Sequence, residues 1–160
     1  MSPRMRKGLI VAVIHILMVA SLGAKLLVDR ATRPRVWART APFDPNLPIR
    51  GRYVRLRIEG IASNLPAGST LTPVTLAVGD QSLIVMASPE QTGLSASTVT
   101  RDGVAVLDQP LAYFIPEHVP DPSVRAQGEE LWVEVTLPRR GPPRPIRLGV
   151  KKDGVLTPID

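Results

Sequence analysis

The chain has 160 residues, no cysteine and two histidines, which leaves room for one domain of ordinary size and excludes a disulfide framework or a thiolate metal centre. The net charge of +6 is concentrated at one end: residues 1–40 carry eight basic side chains against Asp29 alone, net +7, and residues 41–160 carry 12 against 13 acidic ones, net −1. A nucleic-acid binder carries its basic footprint on the folded domain, so no nucleic-acid partner is expected, and the basic excess reads as attraction to anionic lipid headgroups.

Residues 1–7 form a basic N-terminal tail with Arg4, Arg6 and Lys7. From Gly8 to Ala24 the chain has no formal charge; as a helix these residues span about 26 Å, and extension to Val28 gives about 31 Å, the thickness of a hydrocarbon core. Residues 8–28 are therefore predicted to be a transmembrane anchor, with Lys25 reaching the interface along its own stem. His15, at mid-segment, reads as a tolerated polar residue, since no other ionisable group shares its depth. The rival reading is a cleaved signal peptide with Ser21-Leu22-Gly23 at the cut, against which the apolar run continues through Ala24 and resumes at Leu26-Leu27-Val28. Five basic residues follow Ala24 within fifteen positions and three precede Gly8, which conflicts with a simple positive-inside count. The very short leading tail still favours an ordinary signal anchor, single-pass in a bacterial inner membrane with an extracytoplasmic domain.

Pro34, Pro42, Pro45 and Pro48 mark residues 29–48 as an extended, Pro-rich stalk, because each ring removes a donor and fixes φ. A β domain is expected over residues 49–160. Tyr53 to Glu59 alternates, with Val54, Leu56 and Ile58 on one face and Tyr53, Arg55 and Arg57 on the other. Gly79-Asp80, Asp102-Gly103 and Asp153-Gly154 separate pairs of apolar runs and predict three hairpins. Leu131 to Leu137 alternates with Trp132, Glu134 and Thr136 opposite the apolar set, and Glu129-Glu130 reads as a solvated loop before that strand. Residues 138–145 (PRRGPPRP) read as a loop unable to join a ladder, and Ile146, Leu148 and Val150 resume the alternation. No window after residue 30 sustains a helical period. The fold class expected is mainly β, an antiparallel sandwich or partly open barrel after one transmembrane helix.

The segment Gly51-Arg52-Tyr53-Val54-Arg55-Leu56-Arg57-Ile58 resembles the Gly-Asp-Tyr-x-x-Leu-x-Tyr motif (GDYXXLXY) that names a family of bacterial membrane-anchored proteins. Asp44-Pro45 stands where that family has Asp-Pro, Phe114-Ile115-Pro116-Glu117 resembles its Phe-Val-Pro-Glu segment, and Leu131-Trp132-Val133-Glu134-Val135 its following strand. Arg52 and Ile58 replace the usual Asp and Tyr, so no role of that carboxylate or second ring carries over. The resemblance implies an anchored domain working beside multi-pass membrane proteins, and it supplies no reaction. Gly51, Tyr53, Leu56, Phe114, Pro116 and Glu117 are the motif positions and the candidate binding residues. Gly51 permits a sharp entry into the strand, Leu56 points to the core, and Tyr53 offers a ring with a polar tip.

No phosphate-cradling loop or Gly-x-Ser-x-Gly elbow is present, and neither a cofactor nor a metal is expected. Glu117 and His118 are the one candidate acid/base pair, but neighbours on an extended chain point to opposite faces. A membrane-bound Ser/Lys protease needs a lysine buried in the sheet; the only domain lysines, Lys151 and Lys152, flank the Asp-Gly turn and read as solvated. The function expected is a non-enzymatic, membrane-anchored accessory or interaction domain of the bacterial envelope, contacting the bilayer through residues 8–28. The alternatives are an envelope hydrolase or peptidase using Glu117 and His118, and a cleaved, secreted binding module.

Overall fold

A computed structural model describes residues 3–43, 53–68, 71–80, 82–90, 92–115, 122, 125–138 and 141–159. The chain divides into two compact units, residues 1–33 and 34–160. The first is a single helix, α1 (Pro3–Thr32). Its span Met5–Thr32 has a mean hydropathy of 2.2 in its most apolar window and is long and apolar enough to cross a membrane. Leu9, Ile10, Ile14, Leu17, Val19 and Leu22 are all exposed and surround the axis, so no stripe marks a face that a soluble core would cover. The polar side chains turn back on the helix: His15 Nδ1 lies 2.8 Å from the Val11 carbonyl, and Ser21 Oγ donates to the Met18 carbonyl at 2.8 Å. At the C-terminal end Arg33 bonds Asp29 through both backbone (3.0 Å) and side chain (3.2 Å) before Pro34 stops the helix.

The second unit is a β domain of ten strands among the described residues: β1 (Arg35–Phe43), β2 (Tyr53–Ser63), β3 (Thr72–Val78), β4 (Leu83–Ala87), β5 (Ser95–Val99), β6 (Val104–Leu107), β7 (Leu111–Phe114), β8 (Glu129–Thr136), β9 (Arg144–Lys152) and β10 (Val155–Ile159). Strands β2, β4, β3, β5 and β6 pair in that order, and β6 returns to β2, which closes a five-strand barrel. Outside it, β1, β8, β9 and β10 continue from β2 as an antiparallel ribbon, and β7 pairs the start of β2. The domain is thus mainly β as expected, but its ring is closed rather than partly open. It also contains one parallel pair, β2 with β4, because the chain crosses from β2 to β3 before β4 returns between them.

Alternation produces the core. Val54, Leu56 and Ile58 of β2 are buried, as are Leu131 and Val133 of β8, while Tyr53, Arg55 and Arg57 face outward as the pattern predicts. The three hairpins form where the Gly-Asp and Asp-Gly pairs stand; in the last, Asp153 (φ 50°) and Gly154 (φ 82°) take the left-handed pair that a two-residue turn requires. Leu56 is fully buried in the hydrophobic core of the domain. Leu56→Ala is expected to lower stability by about 2–5 kcal/mol, read as a shift in the urea midpoint.

Three boundaries differ from the sequence reading. Residues 35–43, read as stalk, are β1 and lie inside the sheet between β8 and β2. Val36, Ala38 and Thr40 are buried on one face, an alternation of small side chains with weak apolar signal, and Pro42 falls near the end of the strand. The folded unit therefore begins at Pro34, not residue 49. Glu129 and Glu130, read as loop, open β8 opposite Lys152 and Lys151, and Arg144-Pro145 of the Pro-rich stretch enter β9 beside a bulge at Glu134/Val135. A bulge is where a ladder tolerates a missing donor.

Candidate functional site

Of the motif positions, the structure brings three into one neighbourhood. Tyr53 and Phe114 are register partners across β2 and β7, with ring centroids 6.1 Å apart and planes at 53°. Leu56 faces Leu111 in the same ladder and belongs to the core, so its part is structural. Phe114 is 75% exposed and is the ring of this pair more open to a partner. Gly51, Pro116, Glu117 and His118 lie outside the described residues. The Asp44-Pro45 pair and Arg52 do so too.

A more concave region lies elsewhere, and it follows from a single glycine. Strand β2 pairs β1 as far as Arg39↔Glu59 and then pairs β4 from Ile61↔Ile84. The exchange takes place at Gly60, where an added Cβ would lie 2.7 Å from Val85 Cγ2 and 2.8 Å from the Leu83 carbonyl oxygen. Only a residue without a side chain lets β4 come this close. Because β2 turns away here, the first half of β1 keeps β8 on one side and has no ladder partner on the other, where β1 and β4 come close without pairing.

The register identifies which backbone groups are left. Leu137 donates its N–H to the Pro34 carbonyl at 3.1 Å, and the β1–β8 register continues Val36↔Val135 and Ala38↔Val133. Antiparallel strands bond through alternate residues, so Pro34, Val36 and Ala38 direct their backbone groups at β8. Trp37 and Arg39 direct theirs the other way. Arg39 meets β2 through Glu59; the N–H and C=O of Trp37 face the gap and have no strand opposite among the described residues.

Two adjoining concavities occupy this gap. One, of about 180 Å³, lies between Trp37 and Trp132 on one side and Gly60, Ile61, Leu83 and Val104 on the other. The second, of about 550 Å³, runs from Arg35 beneath the β3–β4 turn (Val78, Asp80, Ser82) toward Lys151 and Leu156. They share Trp37, Ser82 and Trp132. Ile61 and Val78 leave 53% and 43% of their surfaces exposed here, although both are strand residues of a type normally covered. The only two tryptophans of the chain thus stand in one cleft.

Charged neighbours hold both indoles. Glu130 accepts the Trp132 Nε1–H at 3.1 Å and pairs Arg39 at 3.1 Å, and Arg39 also reaches Glu59 at 3.7 Å. Lys151 Nζ lies 4.6 Å from the Trp132 ring centre, and the Arg147 guanidinium 5.5 Å from that of Trp37, both within cation–π range. Arg147 is fixed in turn by Glu134 at 2.7 Å. Glu134 is nearly buried, at 10% side-chain exposure, so Arg147→Met strands its carboxylate; a loss of about 1–3 kcal/mol is expected, measured by chemical denaturation. No family model, curated protein or solved structure matches the chain.

The smaller concavity is walled mainly by apolar and aromatic side chains with Arg39 and Glu59 paired to each other, the larger adds Arg35, Asp80, Ser82 and Lys151, and among the described residues no three His, Cys, Asp or Glu side chains converge to hold a metal. Sequence reasoning missed Trp37 because it fell in a stretch read as stalk. It passed over Trp132 as one outward residue of a strand. Their rarity was the available signal, and their proximity depends on the Arg39↔Trp132 register, which has no local trace.

Proposed function

We propose that this protein is a non-enzymatic, membrane-tethered interaction domain of the bacterial envelope. Residues 8–28 cross the inner membrane once, and the β domain works on the extracytoplasmic side as an accessory to a multi-pass membrane protein. The observation that carries the reading is a helix exposing apolar side chains all round its axis, joined to a β unit with its own core. A helix of that kind needs hydrocarbon or other helices around it. The basic residues on both sides of the apolar run suit anionic headgroups, and the near-neutral remainder of the chain suits a protein partner. The resemblance of residues 51–58 and 114–117 to the anchored GDYXXLXY family points the same way.

The test is crosslinking in native membranes with photoreactive groups placed in the β domain, followed by identification of the adducts. A recurrent multi-pass protein among the adducts is the expected outcome. Turnover of a substrate by the purified protein, or adducts with soluble proteins alone, would overturn the reading.

A further inference from the structure

We propose that the cleft beside β1 receives an extended segment of a partner polypeptide, which adds to the sheet as a strand on the side that β2 vacates at Gly60. The proposal deepens the interaction-domain reading and rests on it for the identity of the partner, though not for the binding itself.

An unpaired strand edge offers N–H and C=O groups at the spacing another chain needs. Here Trp37 presents one of each into the gap, with no strand opposite among the described residues. Proteins protect free edges with proline or charge, and the outer edge strand β10 carries Pro158. Where β1 borders the gap, charge stands only at the two ends, Arg35 and Arg39, and the stretch from Val36 to Ala38 between them carries neither. The edge is open where Ile61 and Val78 are left uncovered, so the same segment that completes the ladder also covers apolar surface.

The geometry sets the ligand class. A strand added beside β1 places the residue opposite Trp37 on the indole face, and the residues flanking it on the side of Val36 and Ala38. An extended, uncharged segment with apolar side chains at alternate positions fits both. The Trp37 N–H donates to a ligand carbonyl, and the Trp37 carbonyl accepts a ligand N–H. A helical ligand cannot make this pair of bonds, because its own backbone groups are already used.

The test uses the full-length protein in detergent micelles and a positional-scanning library of acetylated hexapeptide amides as the probe. Since both tryptophans line the cleft, intrinsic fluorescence reports occupancy directly. Saturable binding is expected for peptides with alternating apolar residues. N-methylation of the peptide amide facing Trp37 is expected to weaken binding on the order of tenfold, and methylation of amides on the opposite edge to leave it unchanged. Ile61→Lys, at an exposed position, is expected to weaken binding similarly, and Leu71→Ser, at an exposed position outside the cleft lining, to leave it unchanged. No saturable response, or equal binding of the two methylated forms, overturns the proposal. A stable dimer with a peptide-insensitive signal also overturns it and assigns the edge to a second copy. Crosslinking in membranes, which needs no peptide, separates a failure here from a failure of the accessory-domain reading.

Discussion

Removal of residues 1–33 is expected to move the protein from the membrane pellet to the aqueous fraction completely, while the β domain keeps its fold. The deleted segment is the whole of the first compact unit, and the core residues all belong to the second, from Val36 to Leu148. What is lost is a window of mean hydropathy 2.2, a segment whose withdrawal from a bilayer costs far more than thermal energy. Carbonate extraction followed by immunoblotting gives the partition, and far-ultraviolet circular dichroism of the truncated protein gives the fold. Full-length protein released by carbonate would contradict the anchor; truncated protein that aggregates would contradict the independence of the core.

The second large effect is expected at Gly60. Gly60→Val places a Cβ against the Leu83 carbonyl, a backbone atom 2.8 Å away that no rotamer change can remove. Relief requires β4 to retreat from β2, and that pairing consists of Ile61, Ala62 and Ser63 alone. A loss of about 3 kcal/mol is expected, visible as a lowered denaturation midpoint. Amide exchange should locate the damage: protection is lost first at Ile84, Val85 and Met86, and retained at Val133 and Leu148 in the β8–β9 ladder. Uniform loss across both would mean that ring and ribbon open as one body.

Legibility in the sequence followed the range of the interactions. Strand β2 was readable because Val54, Leu56 and Ile58 alternate with long polar residues, and the hairpins because Gly-Asp and Asp-Gly pairs act on their immediate neighbours. Strand β1 was not, since its buried face consists of Val36, Ala38 and Thr40, side chains too small or too polar to stand out beside the prolines around them. Its place is fixed by β8, far along the chain. Ring closure and the parallel β2–β4 pair depend on the partner exchange at Gly60, and a lone glycine in a strand signals a close approach without saying to what. At the candidate site, the motif reading singled out Tyr53 and Phe114 separately, and their meeting across β2 and β7 came only with the fold. The cleft escaped that reading because the cleft exists only where three separate pairings meet.

Strand β1 is held by β8 over residues 35–39 and by β2 over residues 39–43, and it is the first strand after the helix. A pull transmitted along the chain at Pro34 therefore enters the domain through a strand paired to β8 alone at its start and to both neighbours at Arg39. When that pull runs parallel to β1, the bonds at Val36 and Ala38 bear the strain together, as a lap joint does, rather than parting one at a time like a zip. Tension on the tether would meet its greatest mechanical resistance at the first strand it reaches.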